Sequence, residues 1–289
     1  MMRERVESII DEYRGGILDR RAFMVRLIAA TGSMAAAHLM LESTGLASTL
    51  ISEIESRQSK VSSETVKYSG ANKVSLSGYL STPQGSGKFP AVLVIHENRG
   101  LNDHTRDVAR RLAAEEFVAL APDILARKGG TGSMETPDKA REAISTITAE
   151  DAIADLKAGL DFLNHHEKVK SGRLASMGFC WGGARSFMLA AESDLLRAAV
   201  VFYGTAPEPE KLAKVHCPVL GLYGQTDERI TSRVPEVAEA MKKANKKFDY
   251  KIYPGAGHAF FNDTGDRYNK EAAKDAWERA LAFLKENLK

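Results

Sequence analysis

Three side chains able to pass one proton between them lie far apart in the chain, in the order Cys180, Asp227, His258. Cys180 sits within Gly178-Phe179-Cys180-Trp181-Gly182-Gly183, between the run 174–177 and a stretch at 184–190 patterned like the start of a helix. Glycines two before and two after a nucleophile mark a sharp strand-to-helix turn, where side chains would crowd the chain and the reactive atom is lifted off the sheet. The first N–H groups of the following helix lack intrahelical acceptors and face incoming negative charge. A thiol placed there can attack an acyl carbon, with an imidazole to take its proton and a carboxylate to orient the imidazole. The alternative for the segment alone is a glycine-rich turn around a buried, inert cysteine. The acid and the histidine that follow later strands favour chemistry.

Such residues need a scaffold that delivers them to one edge. Strand patterns at 61–68 and 74–80 predict an antiparallel hairpin at a sheet edge, with 82–87 as an exposed connection. The apolar run 91–95 predicts a strand buried on both faces, ending in His96-Glu97-Asn98-Arg99-Gly100. A helix over 103–116 and a strand over 117–121 lead to Pro122-Asp123 and Arg127. The glycines of 128–132 predict a mobile loop, continued by a variable connection over 133–139. Helices are expected over 150–162, 183–190, 234–244 and 270–284, and strands over 198–203, 218–223 and 248–253. Asp227 and His258 then follow strand ends, where ligands of open α/β sheets bind. Alternating strands and helices predict one α/β domain over 57–289, a mostly parallel sheet flanked by helices.

Composition limits the partners. Forty basic and 38 acidic residues leave a net charge of +2 over 289 residues, which provides no broad field for nucleic acid. Two cysteines do not make a disulfide-stapled scaffold. His165-His166 reads as a surface turn, and His96 and His104 have no recognisable ligand set, so no metal is expected. No dinucleotide fingerprint occurs, and no cofactor is expected. Residues 1–56 allow two readings. Arg20-Arg21 before an apolar stretch and Ala35-Ala36-Ala37 resemble a twin-arginine export signal, which would place the protein in the periplasm. Arg26 and His38 interrupt that stretch, argue against a membrane span, and fit a retained helical extension over 20–54, broken near 31–33 and 44–45, on a cytoplasmic protein.

With its motifs in view, the chain from about residue 61 resembles the dienelactone hydrolase family, cysteine-nucleophile enzymes of the α/β-hydrolase fold. The resemblance rests on 96–100, on Pro122-Asp123 with Arg127, on the cysteine elbow, on the Asp227 loop and on Gly257-His258. It implies cofactor-free hydrolysis of a small lactone or activated ester through an acyl-cysteine. It also implies that Glu97 meets and restrains Cys180 at rest, and that Arg127 grips a substrate carboxylate; a plain surface arginine is the other reading of Arg127. The oxyanion would be met by the N–H of Trp181 and by a second N–H near Glu97 or Asn98. Where the family carries a basic residue soon after its histidine, this chain has Asn262, and Phe260 beside Phe261 suits a less polar ester. A hydrolase scaffold that only binds a ligand, or senses oxidants through Cys180, is the alternative.

Overall fold

The computed structural model describes residues 2–14, 20–32, 36 and 60–289. The chain divides into two compact units, Met1–Ser59 and Lys60–Lys289. In the first, α1 (Met2–Arg14) buries Val6, Ile9 and Ile10, and α2 (Arg20–Thr31) buries Phe23 and Leu27. Arg26 pairs with Glu12 at 2.6 Å. The break expected near 31–33 falls at Gly32, whose φ of 83° ends α2. Ala35 and Ala37 of the small-residue region, and everything from Leu39 to Ser59, lie outside the described residues.

In the second unit, β1 (Val61–Ser69) and β2 (Ser75–Pro83) pair antiparallel from Val61 opposite Pro83 to Ser69 opposite Ser75. The remaining strands are β3 (Phe89–Ile95), β4 (Val118–Pro122), β5 (Val169–Phe179), β6 (Leu196–Phe202), β7 (Val219–Gly224) and β8 (Phe248–Tyr253). They run parallel to one another in the sheet order β1-β2-β4-β3-β5-β6-β7-β8, and β2 joins β4 antiparallel. The hairpin thus forms one edge, as its alternation predicts. Thr82 and Pro83, expected in an exposed connection, instead complete β2 and are buried.

The helices are α3 (Asp103–Ala114), α4 (Pro137–Ser145), α5 (Ala149–His165), α6 (Trp181–Glu192), the single turns α7 (Pro209–Leu212) and α8 (Glu228–Thr231), α9 (Val234–Lys243) and α10 (Lys270–Asn287). Two layers follow from the strand period of two. In β3, Val92 and Val94 join the core under α3 and α10, whereas Leu93 and Ile95 join the core under α5, α6 and α9. Each such fully buried side chain contributes about 1.5–3 kcal/mol. This double cover holds the strand ends that carry the chemistry.

Two expectations fail between β4 and α5. Residues 137–145 form a helix: Thr136 accepts from Lys139 N, Pro137 occupies the first turn, and Ala140 and Ile144 pack on Leu125. The glycine tract is pinned rather than open, because Thr131 donates its N–H and its hydroxyl to Asp123, both at 2.7 Å.

Candidate active site

β5 ends at Phe179 and α6 begins at Trp181, so Cys180 alone makes the turn, at φ 55° and ψ −113°. A left-handed φ outside glycine costs about 1–3 kcal/mol and persists only where surroundings enforce it. Here Cys180 N donates to Phe202 O at 3.0 Å and Cys180 O accepts from Ala184 N at 3.1 Å. A Cβ on Gly178 would lie 2.0 Å from Gly182 O, and one on Gly182 would lie 2.3 Å from Ile95 O. The turn is therefore pressed against the end of β3, and only glycine fits at both positions.

Asp227 follows β7 and begins α8, and His258 lies in the turn after β8. His258 Nδ1 stands 2.6 Å from Asp227 Oδ2, and Nε2 stands 3.0 Å from Cys180 Sγ. The three residues expected to cooperate are in mutual reach. With the thiol donating to Nε2, the ring proton sits on Nδ1 and is donated to Asp227. The Tyr203 ring meets the imidazole edge-on at 5.2 Å and limits its rotation.

Burial, and then the charge of Glu97, push the Cys180 thiol from its ordinary 9.0 up to about 11; the Trp181 N–H and the charges of Arg229 and Arg267 act the other way. The resting sulfur is thus a thiol at neutral pH, and its proton moves to His258 as attack proceeds. Oxidant-sensing cysteines depend on a low pKa. This site lacks that property.

The resting contact expected between Glu97 and Cys180 is replaced by another arrangement. Glu97 Oε1 accepts from the Tyr203 hydroxyl at 3.2 Å and Oε2 accepts from Asn262 Nδ2 at 2.9 Å, while the sulfur faces His258. The carboxylate acts on the cysteine through its field. Trp181 supplies its N–H to the sulfur's surroundings, and its ring packs between His96, at 5.9 Å, and the Arg185 guanidinium, at 4.8 Å. Asn98 is half-buried, and among the described residues nothing accepts from its N–H.

Two expected substrate contacts are occupied otherwise. Arg127 donates to both oxygens of Asp155, at 2.7 and 2.5 Å, because that carboxylate, on the buried face of α5, requires a counter-charge. Phe260 is fully buried against Phe202, Tyr203 and Tyr253, so its ring presents no face to a ligand. Sequence reasoning missed Tyr203, which reads there as the last residue of a core strand. It also missed Arg229, although that residue lies only two positions beyond the predicted acid.

A thiol on this elbow, with an imidazole and a carboxylate delivered from later strand ends, defines a cysteine hydrolase of the α/β-hydrolase fold. The chain belongs to the dienelactone hydrolase family, whose family model matches residues 76–288. A relative from Saccharolobus solfataricus, bearing the provisional name carboxymethylenebutenolidase, is 39% identical over 240 residues, 72% of this chain and 92% of its own. A Bradyrhizobium relative, provisionally named 2-oxo-3-(5-oxofuran-2-ylidene)propanoate lactonase, is 33% identical over 231 residues, 76% of this chain and 92% of its own. A crystal structure from Klebsiella pneumoniae, provisionally described as a dienelactone hydrolase, is 31% identical with a TM-score of 0.71, covering 78% of this chain and 99% of the other. The protein is a hydrolase of ester- or lactone-like substrates acting through Cys180, His258 and Asp227. No helix among the described residues is long and apolar enough to cross a membrane.

Proposed function

We propose that the natural substrate is a small lactone, or an activated ester, bearing a carboxylate close to the scissile acyl group. The observation that carries this reading is the pair of cations at the site. Arg229, on α8 beside Asp227, and Arg267, in the connection from His258 to α10, are exposed and have no ion pair among the described residues. Both oppose the rise in the Cys180 pKa, so their charge is felt at the sulfur. The Saccharolobus and Bradyrhizobium relatives bear names of enzymes that open lactones carrying a carboxylate, which supports the same class here.

The reaction follows from the contacts. Cys180 passes its proton to His258 Nε2 as sulfur attacks the acyl carbon, and the carbonyl electron pair moves onto oxygen. The N–H groups of Trp181 and Asn98 meet that oxyanion, and Asp227 stabilises the imidazolium that forms. Collapse expels the ring oxygen, which takes the proton from His258 and stays tethered to the acyl group. Water then gives a proton to His258 and attacks the thioester, and the departing sulfur recovers that proton. The product is a hydroxy acid or its carbonyl tautomer. Amides are poorer substrates, because an amine must be fully protonated before it leaves.

The test is a panel of matched lactones and short activated esters, with and without a carboxylate. A higher kcat/KM for the carboxylate-bearing member of each pair is expected. Equal values, or preference for the neutral member, would remove the anionic class and leave the acyl chemistry standing.

A further inference from the structure

His96 is fully buried at the end of β3 and takes no part in the proton relay. Its Nε2 receives the backbone N–H of Ile124 at 3.3 Å. A backbone amide can only donate, so Nε2 carries the lone pair and the ring proton sits on Nδ1. Nδ1 donates to the carbonyl oxygen of Glu97 at 2.6 Å. Burial lowers the pKa of this imidazole and favours the same neutral form. Stacking on Trp181, at 14° between planes, fixes the ring's tilt.

The Glu97 carbonyl and the Asn98 N–H belong to one planar trans peptide and point in opposite directions. No cis peptide occurs among the described residues. Holding the carbonyl on the imidazole therefore turns the Asn98 N–H away from it. The far end of this segment is also held: Leu101 N donates to Thr131 Oγ1 at 2.9 Å, and that hydroxyl donates to Asp123 at 2.7 Å. The elbow lies against the same stretch, since a Cβ on Gly182 would come within 2.5 Å of His96 O. The Asn98 N–H, with no acceptor among the described residues, is thus presented by a braced peptide next to the nucleophile's turn.

We propose that His96 is a positioning residue of the oxyanion hole: its fixed tautomer orients the Glu97–Asn98 peptide so that the Asn98 N–H joins that of Trp181 on the oxygen developing at the acyl adduct. The inference rests on the acyl-transfer reading above. It differs from a packing role for the ring, which would affect every reaction of Cys180 alike.

Two reactions of the same sulfur separate those roles. Acylation by p-nitrophenyl acetate, read as the first burst of nitrophenolate, creates an oxyanion. Alkylation by iodoacetamide displaces iodide at a saturated carbon and creates none. In His96→Phe, which keeps a stacking ring, acylation is expected to fall about 100-fold, the scale of one lost oxyanion donor. Alkylation is expected to stay within about twofold of wild type. His96→Ala, the second variant should the first not fold, is expected to lower the same ratio of acylation to alkylation. His96→Asn restores a donor near the Nδ1 position and is expected to regain about tenfold in acylation over His96→Ala. Parallel losses in both reactions, or unchanged acylation in His96→Phe, would overturn the proposal. A wild-type protein that is alkylated normally but never acylated would overturn the acyl-transfer reading instead, and this inference with it.

Discussion

Asn262 donates to Glu97 at 2.9 Å from the position where the family resemblance places a cation. A neutral amide thus holds the carboxylate near the nucleophile, and the charge of Glu97, after burial, is the second cause of the raised Cys180 pKa. Glu97→Gln keeps the shape and removes the charge. The midpoint for alkylation of Cys180 by iodoacetamide is expected to move down from about 11 in this variant, yet to stay above the ordinary 9.0, because burial remains. An unchanged midpoint would show that Glu97's field does not govern the thiol. The linkage has a definite sign. A thiol whose folded pKa is raised keeps its proton while the unfolded chain loses it, so this contribution to stability is intact below about 9 and is lost as pH rises towards about 11. Glu97→Gln should flatten that loss in thermal melts taken across the window.

The short His258–Asp227 contact sets the ring's tautomer and cannot be replaced by an amide without reversing a donor. Asp227→Asn is expected to lower kcat by about 10⁴-fold, and Cys180→Ala to abolish the nitrophenolate burst. In Asp227→Asn the KM should change little, because the relay does not bind the ground state. A loss confined to KM would remove Asp227 from the relay.

Arg127 and Asp155 make a structural pair, so their removal should affect folding before selectivity. Arg127→Ala leaves a buried carboxylate without its counter-charge and is expected to cost on the order of 3 kcal/mol, measured by urea unfolding. The ratio of activity on carboxylate-bearing to neutral esters should hold. The double variant Arg229→Ala with Arg267→Ala should behave in reverse, keeping stability within about 0.5 kcal/mol, as surface substitutions do. Its carboxylate preference should fall at least about tenfold, the equivalent of about 1.4 kcal/mol. A selective loss in Arg127→Ala would return the substrate contact to that residue.

What could be read from the sequence followed the range of the interactions. Strands such as 91–95 are legible because burial on both faces demands a continuous apolar run, and Cys180, Asp227 and His258 are legible because their chain order follows the strand ends. The helix at Pro137–Ser145 had a local signal, Thr136 followed by proline, that the neighbouring glycines obscured. The partners of Arg127, Glu97 and Phe260 had none. Asp155 lies 28 residues from Arg127 and Asn262 lies 165 from Glu97, so only the folded sheet determines which charges meet. Phe260 faces inward because the aromatic group of Phe202, Tyr203 and Tyr253 receives it, which no pattern near His258 encodes.

Cys180 carries its sulfur at the cost of a backbone at φ 55°, so stability and chemistry oppose each other at this residue. Removing the sulfur alone does not relieve that strain. Cys180→Ala keeps a Cβ on a left-handed residue, whereas Cys180→Gly accepts the angle freely but loses about 0.4–1 kcal/mol to the greater freedom of its unfolded chain. Set against relief of about 1–3 kcal/mol, the glycine variant should be the more stable of the two by about 1 kcal/mol. For a unit of this size that is about 2–4 °C in Tm, readable by calorimetry, and both variants should be inactive. If Cys180→Ala melts at or above Cys180→Gly, the turn holds no usable strain, and the enforcing contacts to Phe202 and Ala184 merely accompany a conformation the chain adopts without cost.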